Sequence, residues 1–243
     1  MKAGFFRKII IILQSAITVI VASIETISQR QRHCTRRCFD KIFRTMCQQL
    51  LRAARVSYTV HDRDKLILEP HQHYIVMCNH SSLYDIPLST VAVPGSLRMM
   101  AKRELFKVPL WGRAMKKSGF IPIDRNNRAQ AKKDLDYARE KMKEGIMIWI
   151  APEGTRSKTG KLQSFKKGGF MLAYQTDAII IPIGIRGAQQ ILPAKTLDFN
   201  LNQHVDIYIG KPIDTKDYKI REREKLMDDV KHSIAELAGL DKD

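Results

Sequence analysis

The chain has 243 residues, 44% of them hydrophobic, which is enough for one sizeable core. It shows no internal repeat and no low-complexity tract, which excludes a solenoid and a disordered chain. A formal net charge of +17 calls for an anionic partner: nucleic acid, an anionic membrane surface or a phosphate-bearing substrate.

The charge is unevenly spread. Residues 1–60 hold eleven basic residues and two acidic ones, yet this quarter is also the most apolar locally. Ile9–Ile24, "IIIILQSAITVIVASI", runs for sixteen residues without a charge. As a helix it would reach roughly 24 Å, against a hydrocarbon core about 30 Å thick. It is therefore marginal for spanning, and Gln14, Thr18 and Glu25 place a weak polar stripe on one face. Phe39, Ile42, Phe43, Met46 and Leu50 then fall at helical spacing, with Arg36, Arg37, Lys41, Arg44 and Arg52 over much of the remainder. That is a basic amphipathic helix suited to lipid headgroups. Residues 1–55 thus read as a membrane-associated helical hairpin, the first helix dipping into the bilayer. A transmembrane anchor and a cleaved signal peptide ("MKAGFFRK" with "VAS") are the competing readings. Cys34, Cys38, Cys47 and Cys78 have no metal-ligand spacing and read as reduced thiols.

From about Val56 to the end, residues 56–243, strand and helix patterns alternate. "HYIVMC" (73–78), "GFIPID" (119–124), "IMIWIA" (146–151), "AIIIPIGI" (178–185) and "VDIYIG" (205–210) read as short buried strands. Between the second and third, Ala131, Leu135, Ala138 and Met142 mark one apolar helical face, and Gly145 sits where a helix stops. Residues 215–238 read as a final charged helix. The predicted fold is α/β, with one mixed, largely parallel sheet flanked by helices. In such folds ligands gather at the carboxyl ends of strands. The first three strands each run into a polar cluster there: Asn79-His80, Asp124-Arg125 and Glu153-Gly154-Thr155-Arg156.

On a continuous helix, His80 and Asp85 would point about 140° apart. They meet only if His80 lies in a loop and Asp85 near the start of the next helix, where Pro87 is tolerated. Asp85 then fixes the imidazole tautomer and leaves the other nitrogen as a base. Taken alone, an HxxxxD spacing reads better as a helix cap beside a surface histidine, since a pattern fixing two positions is common by chance. "EGTRSKTGKL" (153–162) fails as a P-loop: the gap between Gly154 and Gly160 is five residues, and Leu162 stands where a Ser or Thr must bind magnesium. What remains is a turn offering backbone amides at Gly154, the Thr155 hydroxyl and the Arg156 guanidinium, which suits a phosphomonoester. Arg125 supplies a second clamp.

"NHSSLYD" (79–85), "GFIPIDR" (119–125), "APEGTRS" (151–157) and "IIPIGI" (180–185) occur in the order and spacing of four motifs of the glycerolipid acyltransferases. The chain resembles the 1-acyl-glycerol-3-phosphate O-acyltransferases over roughly residues 56–210, including "AKRELF" (101–106) and "FKKGGF" (165–170). The resemblance implies transfer of an acyl chain from acyl-CoA or acyl-carrier protein to lysophosphatidic acid, giving phosphatidic acid. It implies His80 as base, Asp85 as its support and Lys102 at the developing oxyanion. Arg125, Glu153, Gly154, Thr155 and Arg156 would hold the acceptor phosphate, with Glu153 orienting an Arg or Lys. Ile181, Pro182 and Ile183 would shape the acyl or donor channel. It implies no metal and no bound cofactor. It also implies an uncleaved protein on the cytoplasmic face of a membrane, the inner membrane in a bacterium, with the lipid bilayer as partner and no nucleic acid. Ala151 departs from the aromatic that the family often has before Pro-Glu-Gly.

Three rivals stand beside this reading. One is an acyltransferase with another lyso-lipid or glycerol-3-phosphate as acceptor. Another is a thioesterase or other hydrolase with Cys78 as nucleophile, although Cys78 and His80 would share a strand face with little room between them. The last is a non-catalytic basic membrane-binding module.

Overall fold

The computed structural model describes residues 2–29, 36–124 and 127–240. Two long helices come first, α1 (Phe5–Ser28) and α2 (Arg36–Ala53). Then follow β1 (Ser57–His61), β2 (Tyr74–Cys78), α3 (Asp85–Ala92) and β3 (Leu97–Lys102). After a 3₁₀ turn (Arg103–Lys107) come α4 (Trp111–Lys117), β4 (Ile121–Ile123), α5 (Arg128–Lys143) and β5 (Met147–Ile150). The last elements are α6 (Lys167–Gln175), β6 (Ile179–Arg186), α7 (Ala188–Ile191), β7 (His204–Ile209), β8 (Ile213–Asp214) and α8 (Arg223–Ala238).

One eight-stranded sheet runs in the order β1-β7-β6-β2-β5-β3-β4, with β8 paired to β6. Only the β6–β7 and β6–β8 pairs are antiparallel. The mixed, largely parallel α/β sheet expected from the sequence is therefore what forms. All five β2 residues are buried, as both faces of a helix-covered parallel sheet require. Alternate β2 residues feed opposite cores. Val76 and Cys78 face the side of α1 to α4, and Ile75 and Met77 face α5, α6 and α8. Because Met77 pairs with Ile150 on one side and Pro182 on the other, the carboxyl ends of β2 and β5 lie side by side.

Three strands escaped the sequence reading. β1 and β8 are short edge pieces, and β3 carries two cations, Arg98 and Lys102, among its apolar residues. The expected final helix begins only at Arg223, after two 3₁₀ turns.

The two N-terminal helices pack on this body. α2 turns Phe39, Ile42, Phe43, Met46 and Leu50 inward, onto an apolar cavity, instead of outward to lipid. Two of its arginines are also committed inward: Arg36 donates to the Glu144 carbonyl, and Arg44 donates to the carbonyls of Val91 (3.1 Å) and Val93 (2.9 Å) at the end of α3. Asp40 pairs at 2.8 Å with Arg98, a guanidinium whose burial lowers its affinity for a proton. Lys117 donates to the Ile27 carbonyl at 2.7 Å, satisfying the end of α1. α1 inverts the pattern of a soluble helix. Ser23 and Thr26 lie against the body, whereas Phe5, Phe6, Leu13, Ile17 and Val21 are exposed. By length and composition it is the one helix among the described residues that could cross a membrane.

Candidate active site

Asn79 follows β2 directly, and its side chain extends the ladder. Nδ2 donates to the Ile185 carbonyl at 2.9 Å, and the Ile185 amide donates to Oδ1 at 2.8 Å. Asn79 is thus committed to the sheet rather than to a ligand. The chain then turns sharply into α3, and one carboxylate oxygen closes that turn. Asp85 Oδ2 accepts the amides of Ser81 (2.8 Å) and Ser82 (2.9 Å) and faces His80 Nδ1 at 2.8 Å. Asp85 is wholly buried at the first turn of α3, where the helix dipole favours a negative charge. The loop-then-helix arrangement inferred from the His80–Asp85 spacing is the one the chain adopts.

The imidazole also meets Trp149 edge-to-face, with ring centroids 5.7 Å apart and planes at 81°. Trp149 Nε1 donates to Ser89 Oγ at 3.0 Å, and Ser89 lies one turn beyond Asp85 on α3. Sequence reasoning missed this residue. Its signal was a lone Trp in the aliphatic run before Pro152-Glu153.

The loop after β5 wraps around His80. Glu153 is buried, and its two oxygens accept backbone amides, His80 N at Oε1 and Gln163 N at Oε2, both at 2.9 Å. Burial raises its pKa above the usual carboxylate value. The Ser157 amide donates to the His80 carbonyl at 2.7 Å, and the Lys166 amide to the Pro152 carbonyl at 2.7 Å. Gly154 turns the loop at φ +76°, a conformation that favours glycine. The expectation that Glu153 orients an Arg or Lys is corrected, because both its oxygens hold main chain.

A cleft of about 730 Å³ opens at these strand ends, lined by His80, Lys102, Trp149, Gly154 and Thr155 among others. Lys102 is mostly exposed and lies 3.6 Å from Glu104. Arg156 is half-buried on the same loop but does not line the cleft. Arg125 lies outside the described residues. Ile181, Pro182 and Ile183 are a correction as well. They sit buried in the middle of β6, paired with Val76, Met77 and Cys78, and line neither the cleft nor the cavity beside it. That neighbouring cavity, about 250 Å³ and strongly apolar, lies between α1, α2, α3 and α4 and shares Ile86, Met99, Ala101 and Leu105 with the cleft.

Cys78 is fully buried, and desolvation pushes its thiol well above the ordinary range, which removes the thiolate a hydrolase needs. No group of three or more potential metal-binding side chains occurs among the described residues.

The Acyltransferase family model matches residues 57–186, slightly more than half of the chain. The chain is 33% identical over 139 residues to a chloroplastic 1-acyl-sn-glycerol-3-phosphate acyltransferase of Arabidopsis thaliana, covering 57% of this chain and 39% of that one. It is 31% identical over 166 residues to 1-acyl-sn-glycerol-3-phosphate acyltransferase alpha of Mus musculus, covering 68% and 58%. The chain thus spans about two fifths to three fifths of the length of these curated relatives. The crystal structure of the 1-acyl-sn-glycerophosphate acyltransferase PlsC from Thermotoga maritima superposes with a TM-score of 0.81 at 24% identity, covering 98% of this chain and 96% of that one. At that identity the likeness speaks for the fold.

Proposed function

This chain belongs to the Acyltransferase family, and we propose that it carries a fatty acyl chain from acyl-CoA or acyl-carrier protein to the sn-2 hydroxyl of 1-acyl-glycerol 3-phosphate, giving phosphatidic acid. The relatives' own acceptor supports that choice of substrate. The observation that carries the reading is His80 Nδ1 held at 2.8 Å by the buried Asp85 carboxylate at the edge of a cleft.

Asp85 Oδ2 already accepts two amides, so it faces Nδ1 as an acceptor, and the proton sits on Nδ1. Nε2 is left without one, as a general base requires. It takes the proton of the acceptor hydroxyl as the oxygen attacks the thioester carbon. The tetrahedral intermediate collapses by breaking the C–S bond, and the departing sulfur receives that proton from His80. Lys102, one of two lysines on the cleft wall, offsets the oxyanion charge. The Thr155 hydroxyl and the guanidiniums of Arg156 and Arg125 take the acceptor phosphate, while the Gly154 amide stays with the Ala151 carbonyl at 2.9 Å and Glu153 holds the Thr155–Arg156 loop against His80. The acyl chain takes the apolar cavity that joins the cleft, in place of a channel at Ile181–Ile183.

Residues 1–55 form the membrane-facing part and 56–243 the catalytic part. Both the acceptor and the product carry fatty chains, so the exposed apolar face of α1 places the cleft at a bilayer, on its cytoplasmic side where the thioester donors are. The test is acyl-CoA consumption with and without 1-acyl-glycerol 3-phosphate, by the wild type and by His80→Ala. We expect acceptor-dependent transfer that His80→Ala reduces below a few per cent. Consumption independent of the acceptor, or a fully active His80→Ala, defeats the reading.

A further inference from the structure

Between the 3₁₀ turn and α4 the chain forms an apolar tip. Lys107, Val108, Pro109 and Leu110 are exposed in succession, Val108 and Leu110 by 41% and 39%. Apolar residues scattered singly over a surface are ordinary, but three in a row on a turn are not. The backbone is strained there as well. Leu110 has φ +59° and ψ −62°, and the Trp111 amide donates to the Pro109 carbonyl at 2.6 Å. That is the rare form of the γ-turn, which a bulky residue adopts only under strain. Such strain persists where the surroundings impose it. The Gly112 and Ala114 amides donate to the carbonyls of Val108 (2.8 Å) and Leu110 (2.9 Å). A Cβ at Gly112 would collide with the Phe106 carbonyl, so the 3₁₀ turn and α4 are in direct contact. The tip is therefore rigid, and it holds its apolar side chains partly in the open.

Its neighbours are apolar too. Leu105 and Trp111, on either side of the tip, line the apolar cavity together with Val19 and Ala22 of α1 and with Leu83, itself 51% exposed. At its far end α4 meets α1 again, where Lys117 donates to the Ile27 carbonyl. The tip, Leu83 and α1 thus border one cavity. The charge around the tip is one-sided. Residues 102–117 hold Lys102, Arg103, Lys107, Arg113, Lys116 and Lys117 against the single acid Glu104, and Lys107, Arg113 and Lys116 are exposed. An apolar tip ringed by cations suits the headgroup region of an anionic bilayer. A second copy of this chain would bring like charge to the same contact.

We propose that Val108–Leu110 is a second membrane-inserting element, a rigid apolar wedge that enters an anionic bilayer beside α1. The inference rests on the bilayer placement proposed above and adds a contact that α1 does not make. Held by α1 alone, the body would be free to turn about one helix. A second fixed contact sets its tilt. Because Lys102 and Leu105 of the same segment line the cleft, seating the tip in lipid also sets how the cleft meets the membrane surface.

The experiment measures binding of the full chain to vesicles of phosphatidylglycerol and phosphatidylcholine, with and without bromine on the acyl chains. Leu110→Gly is the informative variant, because glycine takes this backbone conformation without strain. We expect its melting temperature not to fall, while its partition into vesicles weakens about tenfold. Val108 has an ordinary backbone (φ −64°, ψ 125°), and Val108→Ser weakens partition in the same direction. The chain has two tryptophans, Trp111 beside the tip and the buried Trp149. Brominated vesicles therefore quench the wild type, and Trp111→Phe removes most of that quenching. Partition unchanged in both Leu110→Gly and Val108→Ser, or quenching that survives Trp111→Phe undiminished, overturns the inference and leaves the bilayer to α1. A detergent-solubilised dimer that Leu110→Gly dissociates assigns the tip to a second copy and overturns it too. A wild type that binds no vesicles strikes the bilayer placement itself, and the inference with it.

Discussion

Glu153 accepts the main-chain amide of His80 at 2.9 Å, and the Ser157 amide donates back to the His80 carbonyl at 2.7 Å. Both polar groups of the His80 main chain are thus held by the loop after β5, while Asp85 holds its ring. The loop that begins with Glu153 thus holds the imidazole and the Thr155–Arg156 side chains, which we propose for the acceptor phosphate, as one unit. A movement in one part of that unit is transmitted to the other.

Glu153→Gln tests this coupling. Glutamine keeps one acceptor oxygen but turns an N–H₂ toward a buried amide donor, which costs about 1–3 kcal/mol. A shift of His80 by about 1 Å lowers kcat about 10²-fold, and acceptor KM rises with it because the loop moves as a whole. There is a pH signature too. Burial raises the Glu153 pKa above its ordinary 4.5, so the fold favours the neutral form. Its contribution to stability is full below 4.5 and is lost as pH rises through the raised value. Glutamine has no such slope. The melting-temperature gap between wild type and Glu153→Gln therefore narrows as pH rises from about 4 toward 7. A gap that stays constant means the carboxyl does not titrate as described.

Asp85→Asn separates orientation from stability. An asparagine oxygen can keep accepting the Ser81 and Ser82 amides, but the tautomer of His80 is no longer fixed by an anion. We expect kcat to fall about 10³-fold with the acceptor KM nearly unchanged, since Asp85 contacts the base and not the phosphate groups. Circular dichroism should show the same fold. A loss confined to KM would place Asp85 in binding rather than in catalysis.

Much of this site was legible because its parts are local. The meeting of His80 and Asp85 followed from helical geometry and the tolerance of Pro87 in a first turn, and the strand ends followed from apolar runs that stop at polar clusters. The roles of Glu153 and of Ile181–Ile183 were not legible, because they depend on which strands are neighbours. Glu153 reaches His80 only because β5 lies beside β2, and Ile181–Ile183 are sealed in the core only because β6 lies on β2's other side. Amphipathicity likewise marked α2 correctly but could not say that its apolar face points to a cavity inside the molecule.

Cys78→Ala distinguishes transfer from thiol hydrolysis. The thiol is buried in the core, and burial keeps it protonated at neutral pH. Removing one sulfur from a packed core costs about 1 kcal/mol. Transfer should remain within about threefold of wild type at 25 °C, and iodoacetamide should not inactivate the wild type at pH 7.5. Abolished turnover with an intact fold would bring Cys78 back as a nucleophile.

The exposed face of α1 supplies the last test. Ile17 and Ile20 are 59% and 46% exposed, whereas the helix packs through Ile11, Ser23 and Thr26. A soluble protein rarely leaves so continuous an apolar surface uncovered. Replacing both with Asn (Ile17→Asn with Ile20→Asn) leaves the packed face intact, so the melting temperature should change little. If that surface lies in lipid, the two changes together remove about 3 kcal/mol of transfer free energy, which weakens partition into vesicles about 100-fold. Flotation with phosphatidylglycerol-containing vesicles measures it directly. Acyl transfer to a short-chain acceptor dissolved below its micellar concentration should persist in the same variant, because α1 contributes placement and not chemistry. Unchanged flotation would mean that the bilayer is met by some other surface of the molecule.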